Sequence, residues 1–525
     1  MLKSRFWSNW ILGSIASLFI LTSTACIPPE LIRPNPNYKA QQPKPTESKK
    51  EPQKIIKKPR SSTPPVSSGS TALTSPEKQL VDEGEIDFGD AFGDTSAAGT
   101  TVAAKPLPPK VATNKPAKSP VQPTVESSAL SVFNTTEATY TVPTKMVRIL
   151  LKESEEPTNV GVKDTMVAGD GQLAHQKKFS GVVSVQRSMW NSGTVVFDAG
   201  DVRVECTMPC TLVAPCSTAS FMVGAVSYRG SLIVQLSRNA KLQFINYLDV
   251  ESYLRGVVPL EIGRNRSAQE SEALKAQAVA ARTYTYKRIF QKMGEPYDLV
   301  TTVADQVYNG VNAEAATCDD AIARTRDRIL VYGDSLVMAY YHSTCGGITA
   351  NVENVWESRP PTPYLVSIPD LDKDGTAYCA ISPVFTWETV WKPSHLMPVV
   401  TKFSKTALGR DKEISGSLRS VKVTSRFADG RIKECCFETS HGTDCVFGDK
   451  IRFVLRRSDA GNPILRSSKF EIVEQSAKKI VLRGKGFGHG IGMCQMGAIG
   501  RARAGQSHET ILKAYYSGVS IRLAK

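Results

Sequence analysis

The chain has 525 residues, and Lys+Arg outnumber Asp+Glu by 65 to 50, a formal net charge of +15 at pH 7. That length is enough for one large folded body or two ordinary ones. No zinc-finger repeat, aromatic–glycine RNA motif or concentrated basic helix accompanies the positive excess, so nucleic acid is not an expected partner; anionic envelope polymers or lipid headgroups suit it better.

Residues 1–25 read as an export signal. Lys3 and Arg5 form a positive head, Trp10 to Leu21 is an apolar core, and Ser23-Thr24-Ala25 supplies small residues ahead of Cys26. The apolar run is shorter than the roughly 20 residues of a spanning helix. Cys26 directly after Ala25 suggests a lipoprotein anchored through that cysteine, although Ser23-Thr24-Ala25 also satisfies ordinary signal cleavage. Either route places the mature chain outside the cytoplasm, in the periplasm or cell envelope.

From Cys26 to residue 143 the chain is rich in Pro, Ser, Thr and Lys and nearly devoid of aromatics. Such a composition has too little apolar surface to offset the entropy of ordering, which predicts a disordered linker over 26–143. The folded part is then 144–525. It opens on a strand at Met146–Lys152, followed by short strand-like runs at Val195–Phe197, Phe221–Ser227 and Leu232–Leu236.

Beyond Tyr253 the texture turns helical. The run Tyr253–Glu261 (YLRGVVPLE) sets one carboxylate, Glu261, at the end of an apolar stretch that reads as a strand end. Ser267 and Glu270 have capping-box spacing, and no Gly or Pro interrupts Glu270 to Phe290. Ala273, Ala276, Ala278, Ala280 and Ala281 predict close packing of that helix. A further helix is expected over Ala313–Arg328, then strands at Ile329–Tyr332 and Leu336–Tyr341. Strand-like runs at 383–474 suggest a β-rich subdomain or insertion. The fold class predicted is α+β, built on mixed sheets.

Eleven cysteines suit a disulfide-permissive compartment. Cys206, Cys210 and Cys216 lie close in sequence, as do Cys435, Cys436 and Cys445, and one of the adjacent pair is expected to bond Cys445 or a more distant thiol. Connectivity does not follow from spacing alone.

Four ordered motifs carry most of the functional information: Tyr253–Glu261, Leu274–Tyr284, Thr302–Gly310 (TVADQVYNG) and Gly484–Ala498 (GKGFGHGIGMCQMGA). With Tyr341–Gly347 (YHSTCGG) and Ile511–Gly518, they make the chain resemble the stage II sporulation protein D family (SpoIID/LytB) from Met146 to the C-terminus. The resemblance implies a cell-wall function: known enzymes of the family are lytic transglycosylases acting on peptidoglycan glycan strands, and other members stimulate cell-wall amidases.

It also implies site residues. Glu261 is the expected catalytic acid/base; Arg282, Gln306, Tyr308, Lys485, His489 and Gln495 are candidates for substrate contact. Phe487 stands where the family usually has Trp, and Met496 at another commonly aromatic position. Those departures weaken a sugar-stacking platform in this loop. Tyr515 and Tyr516 are expected to close the core.

Some relatives bind zinc, and His342, Cys345 and Cys379 could hold one, leaving a fourth position for water or another ligand. A Cys345–Cys379 disulfide or free thiols are the alternatives.

Overall fold

The computed structural model describes residues 138–169, 177–213 and 219–525. The export segment 1–25, Cys26, Cys216 and the linker as far as residue 137 lie outside the described residues. Folded structure begins earlier than expected. Thr139 and Tyr140 form a strand inside the span assigned to the linker, pairing in parallel with Leu523 and Ala524.

The fold is α+β with mixed sheets. Its largest sheet has eleven strands. Met146–Ser154 pairs antiparallel with Leu242–Asp249, which pairs in turn with Ser231–Leu236. Val147 and Ile149 alternate inward along the first strand, and Val195 and Phe197 are fully buried in theirs. The run expected as one strand over Phe221–Ser227 is a hairpin, Ser220–Val223 and Val226–Arg229, turning at Gly224 with φ +61°. Glycine adopts that left-handed conformation without a Cβ penalty.

The helix Ser271–Gln291 is the central element. A capping box of Ser267 and Glu270 starts it through a single 3-10 turn. Its small residues are buried on several faces, Ala276, Ala278, Ala280 and Ala281 all at 0% exposure. That lets the helices Ala316–Arg324, Gln495–Arg503 and His508–Tyr515 all pack on it. The helix expected to reach Arg328 is shorter, because Thr325 turns its hydroxyl back onto the Ala321 carbonyl and Asp327 adopts φ +60°.

A second sheet threads the last strand, Ser520–Ala524, between Thr139–Tyr140 and Arg328–Tyr332. A third holds only two short strands. Tyr341–His342 runs parallel to Met493–Cys494, with Tyr341 opposite Met493 and His342 opposite Cys494. This pairing joins two motifs separated by some 150 residues of chain.

The region from Trp387 to Leu482 builds its own buried cluster, around Trp387, Leu396, Phe437, Val446 and Phe470. It overlaps the 383–474 stretch expected as a β-rich subdomain or insertion and runs on into the strand Ile480–Lys485, which pairs with Thr386–Trp391. Arg431 ties this layer to the main body. Its guanidinium is ion-paired with Asp429 at 2.8 Å, both side chains buried, and donates to the carbonyls of Ile348 and Cys345.

Among the described residues two disulfides form, Cys206–Cys210 and Cys436–Cys445. Among the described residues, no helix is long and apolar enough to cross a membrane.

Candidate active site

Glu261 lies not at a strand end but in the short helix Val258–Ile262, directly after the helix Val250–Arg255. Two local features favour helix here. Asp249 accepts a hydrogen bond from Ser252 N–H and caps the first helix, and Pro259 sits in the first turn of the second, where its fixed φ suits helix entry. The apolar residues read as a strand are the buried sides of these turns: Tyr253, Leu254, Val257 and Val258 are all at 0% exposure. Gly256 between the helices is needed for space, since a Cβ there would lie 2.4 Å from the Tyr308 ring.

The Glu261 side chain is itself buried, at 6% exposure. One oxygen accepts the backbone N–H of Val307 at 3.1 Å, and the other faces the Gln495 amide at 3.5 Å. The Tyr341 hydroxyl is a third partner. Burial pushes the carboxyl up to about 7, outweighing the three hydrogen bonds that pull it down. Its partners are a backbone amide, a side-chain amide and a phenol, with no carboxylate among them.

The neighbouring acids are engaged elsewhere. Asp249 caps its helix, Glu251 pairs with Arg282 at 2.7 Å, and Asp305 pairs with Arg288 at 2.8 Å.

Gln306 stands one step behind. Its carbonyl accepts the Tyr253 and Thr285 hydroxyls, while its amide donates to the Ala281 carbonyl and, at 3.0 Å, to the Tyr341 hydroxyl. At 1% exposure it is a positioning residue for Tyr341 rather than a cleft residue.

Of the other expected substrate contacts, the structure brings only Gln495 to Glu261. Arg282 is at 0% exposure, its guanidinium spent on Glu251 and the Ile322 and Arg328 carbonyls. Its place is inside the scaffold, because the close-packed alanines around it leave no route to solvent. Tyr308 is likewise core, at 4% exposure, with its hydroxyl on Asn246 and its ring packed on Tyr228 and Tyr253. Lys485 is exposed and lines a recess with Gly346, Lys469 and Phe385. His489 is half-buried, and its Nδ1 accepts the Ile491 N–H at 3.0 Å. Burial, reinforced by the positive charge of Arg452, lowers it to about 3, so the imidazole is neutral at physiological pH.

Phe487 and Met496 are buried, at 7% and 5%, and present little surface on which a sugar could stack. An aromatic group that the motifs do not announce lies nearby instead. Tyr340 and Trp356 meet edge-on at 4.7 Å, and His489 joins them at 6.3 and 5.2 Å, all three half-buried. Trp356 belongs to none of the motifs, so only the fold could find it.

The thiols are arranged differently from the expected His342–Cys345–Cys379 set. Cys345 and Cys379 Sγ are 3.5 Å apart and not bonded to one another. Their companions are Cys494 and Asp370; one ligand atom from each of the four lies within 4.8 Å of the others, and all four residues are buried. His342 is outside this group. Its Nδ1 meets the Ile491 carbonyl at 3.1 Å, while its buried Nε2 has no hydrogen-bond partner among the described residues.

The model of the stage II sporulation protein (SpoIID) family matches residues 238–332, which span Glu261 and Gln306, and a domain of unknown function (DUF8618) matches residues 376–492. An uncharacterized protein of Brachyspira hyodysenteriae is 32% identical over 304 residues, 57% of this chain and 74% of that protein. The stage II sporulation protein D of Bacillus subtilis is 28% identical, over 58% of this chain and 83% of its own length. The amidase enhancer of the same organism is 30% identical over 51% of this chain, which spans only 40% of that longer protein. A family model that spans the buried glutamate, and two relatives covered over 74% and 83% of their own length, lead to one assignment: this chain belongs to the SpoIID family.

Proposed function

We propose that this protein is an extracytoplasmic lytic transglycosylase that cuts peptidoglycan glycan strands between MurNAc and GlcNAc, with Glu261 as its single acid/base. The observation that carries the reading is burial of a lone carboxyl raised to about 7, which keeps a large fraction protonated near neutrality.

The protonated carboxyl donates to the glycosidic oxygen as its bond to the MurNAc anomeric carbon breaks. The MurNAc C6 hydroxyl attacks that carbon, and the Glu261 carboxylate takes the hydroxyl proton. Products are a 1,6-anhydroMurNAc end and a free GlcNAc end, with no water consumed. Two-carboxylate hydrolysis needs a second available carboxyl roughly 5–9.5 Å from the first, whereas Asp249, Glu251 and Asp305 are tied up in a helix cap and two ion pairs. Gln495 and Tyr341 hold the carboxyl in place, and the half-buried Tyr340, Trp356 and His489 offer apolar faces to sugar rings. Export through residues 1–25, with lipidation at Cys26, would tether the enzyme at the membrane within reach of the wall.

A second reading is supported by the relative named an amidase enhancer: the chain binds the wall and stimulates an amidase without cutting glycan. Digestion of purified glycan strands, followed by mass spectrometry for anhydro ends, separates the two. Anhydro ends released by wild type and not by Glu261→Gln support the enzyme. Absence of such ends, together with acceleration of an added amidase, overturns it in favour of the activator.

A further inference from the structure

We propose that Cys345, Asp370, Cys379 and Cys494 form a tetrahedral zinc site that clamps together the two segments supplying the side-chain partners of Glu261. The four ligand atoms converge from four separate stretches of chain and lie within 4.8 Å of one another. Cys345 Sγ is 3.5 Å from Cys379 Sγ and 3.4 Å from Asp370 Oδ2. A tetrahedral zinc with bonds of about 2.3 Å to sulfur sets its ligands roughly 3.5–3.8 Å apart, close to these two spacings, and the remaining pairs lie within 4.8 Å.

The surroundings are those of a thiolate–metal centre. Cys494 Sγ accepts the Cys345 N–H at 3.1 Å and the Gly497 N–H at 3.3 Å. Cys379 Sγ faces the N–H groups of Gly346 and Gly347. Such outer hydrogen bonds orient metal-bound sulfur and offset its charge. Asp370 divides its two oxygens. Oδ1 is held by Arg501 and the Tyr515 hydroxyl, fixing the carboxylate, while Oδ2 is turned toward Cys345. Space is kept open on that side, since a Cβ on Gly497 would lie 2.2 Å from Oδ2. The recess lined by Gly346, Gly347, Leu371 and Ala377 gives an entry path beside the ligands.

A disulfide would use two of the three thiols and make no use of the convergence of Cys494 Sγ and Asp370 Oδ2 on the same point. The position of the site also gives it a task. Cys494 caps the helix whose first residue is Gln495, and Cys345 follows four residues after Tyr341. An ion bridging these cysteines fixes both side-chain partners of the Glu261 carboxyl, Gln495 and Tyr341. The clamp does not depend on the proposed reaction, since metal content and stability read it out.

The test uses the full chain purified under reducing conditions without an affinity tag that binds metal. The expected result is about one zinc per chain by elemental analysis, a melting temperature that falls on chelation and recovers on adding zinc, and sulfur-to-metal charge-transfer absorption after cobalt substitution. Cys379→Ser and Cys494→Ser should each lose the metal, while His342→Gln should keep it. If the serine variants do not fold, zinc titration of metal-stripped wild type, with thiol alkylation read by mass spectrometry, decides the matter. Protection of Cys345, Cys379 and Cys494 together by zinc supports the site. Metal content no higher than a blank, equal metal in a folded serine variant, or a Cys345–Cys379 disulfide in protein isolated from cells overturns it.

Discussion

The Gln495 amide nitrogen lies 3.5 Å from Glu261 Oε2 although 234 residues of chain separate the two. The contact depends on the short parallel pairing of Tyr341–His342 with Met493–Cys494, which delivers Tyr341 and Gln495 to the same carboxyl. The acid is thus made by a local helix and tuned by side chains from far along the sequence.

Replacing Glu261 by Gln should lower glycan cleavage by about 10²–10⁴-fold, the usual worth of general acid–base assistance. The fold should survive, because the amide can keep the Val307 and Tyr341 contacts. Anhydro-end counting alongside a thermal melt checks both halves.

The raised carboxyl also sets a pH dependence. Cleavage that begins with a protonated Glu261 should show kcat/KM falling as pH rises through about 7. Stability follows the same sign. A carboxyl whose folded pKa exceeds the ordinary 4.5 contributes stability fully below that value, and the contribution is lost as pH climbs through about 7. The melting temperature of Glu261→Gln relative to wild type should therefore increase with pH across that window.

Tyr341→Phe tests the tuning separately. Its hydroxyl stabilises the charged carboxylate, so removing it should raise the Glu261 pKa further and move the alkaline limb of the kcat/KM profile to higher pH. Loss of activity without movement of that limb would mean that Tyr341 serves only the packing.

Arg282→Met should lower stability by about 3 kcal/mol, because Glu251 is left largely buried without its cation. KM should be unchanged, since the guanidinium has no exposed face. A raised KM with unaltered melting would return Arg282 to the substrate.

Asp429→Ala should cost about 3–5 kcal/mol by stranding the buried Arg431 charge. Arg431 also fills the space beside Gly490, where φ is +88° and a Cβ would lie 2.1 Å from the guanidinium. Gly490→Ala should therefore destabilise as well, and denaturant melts of the two variants measure both effects.

The Glu261 motif and the Asp305-Gln306 element were legible in sequence because both are compact strings whose residues meet the carboxyl or its immediate support. The secondary structure around Glu261 is not legible in the same way, since buried helical turns and a strand end share the same apolar pattern over a few residues. Arg282 and Tyr308 lie in motifs yet face inward, which spacing does not reveal. Cys494 and Asp370 join Cys345 and Cys379 only through the tertiary fold, and Trp356 reaches His489 the same way.

The strand pairing of Thr139–Tyr140 with Leu523–Ala524 brings the two extremities of the described body side by side. A short linker could therefore join them and the chain be reopened at the exposed turn around Asn239, between two strands that remain neighbours in the sheet. Such a circular permutant would retain every ladder in the body. The ribosome would then present the first sheet strands after the segment from Glu261 to Gln495 instead of before it, yet the architecture that brings those two residues together would not change.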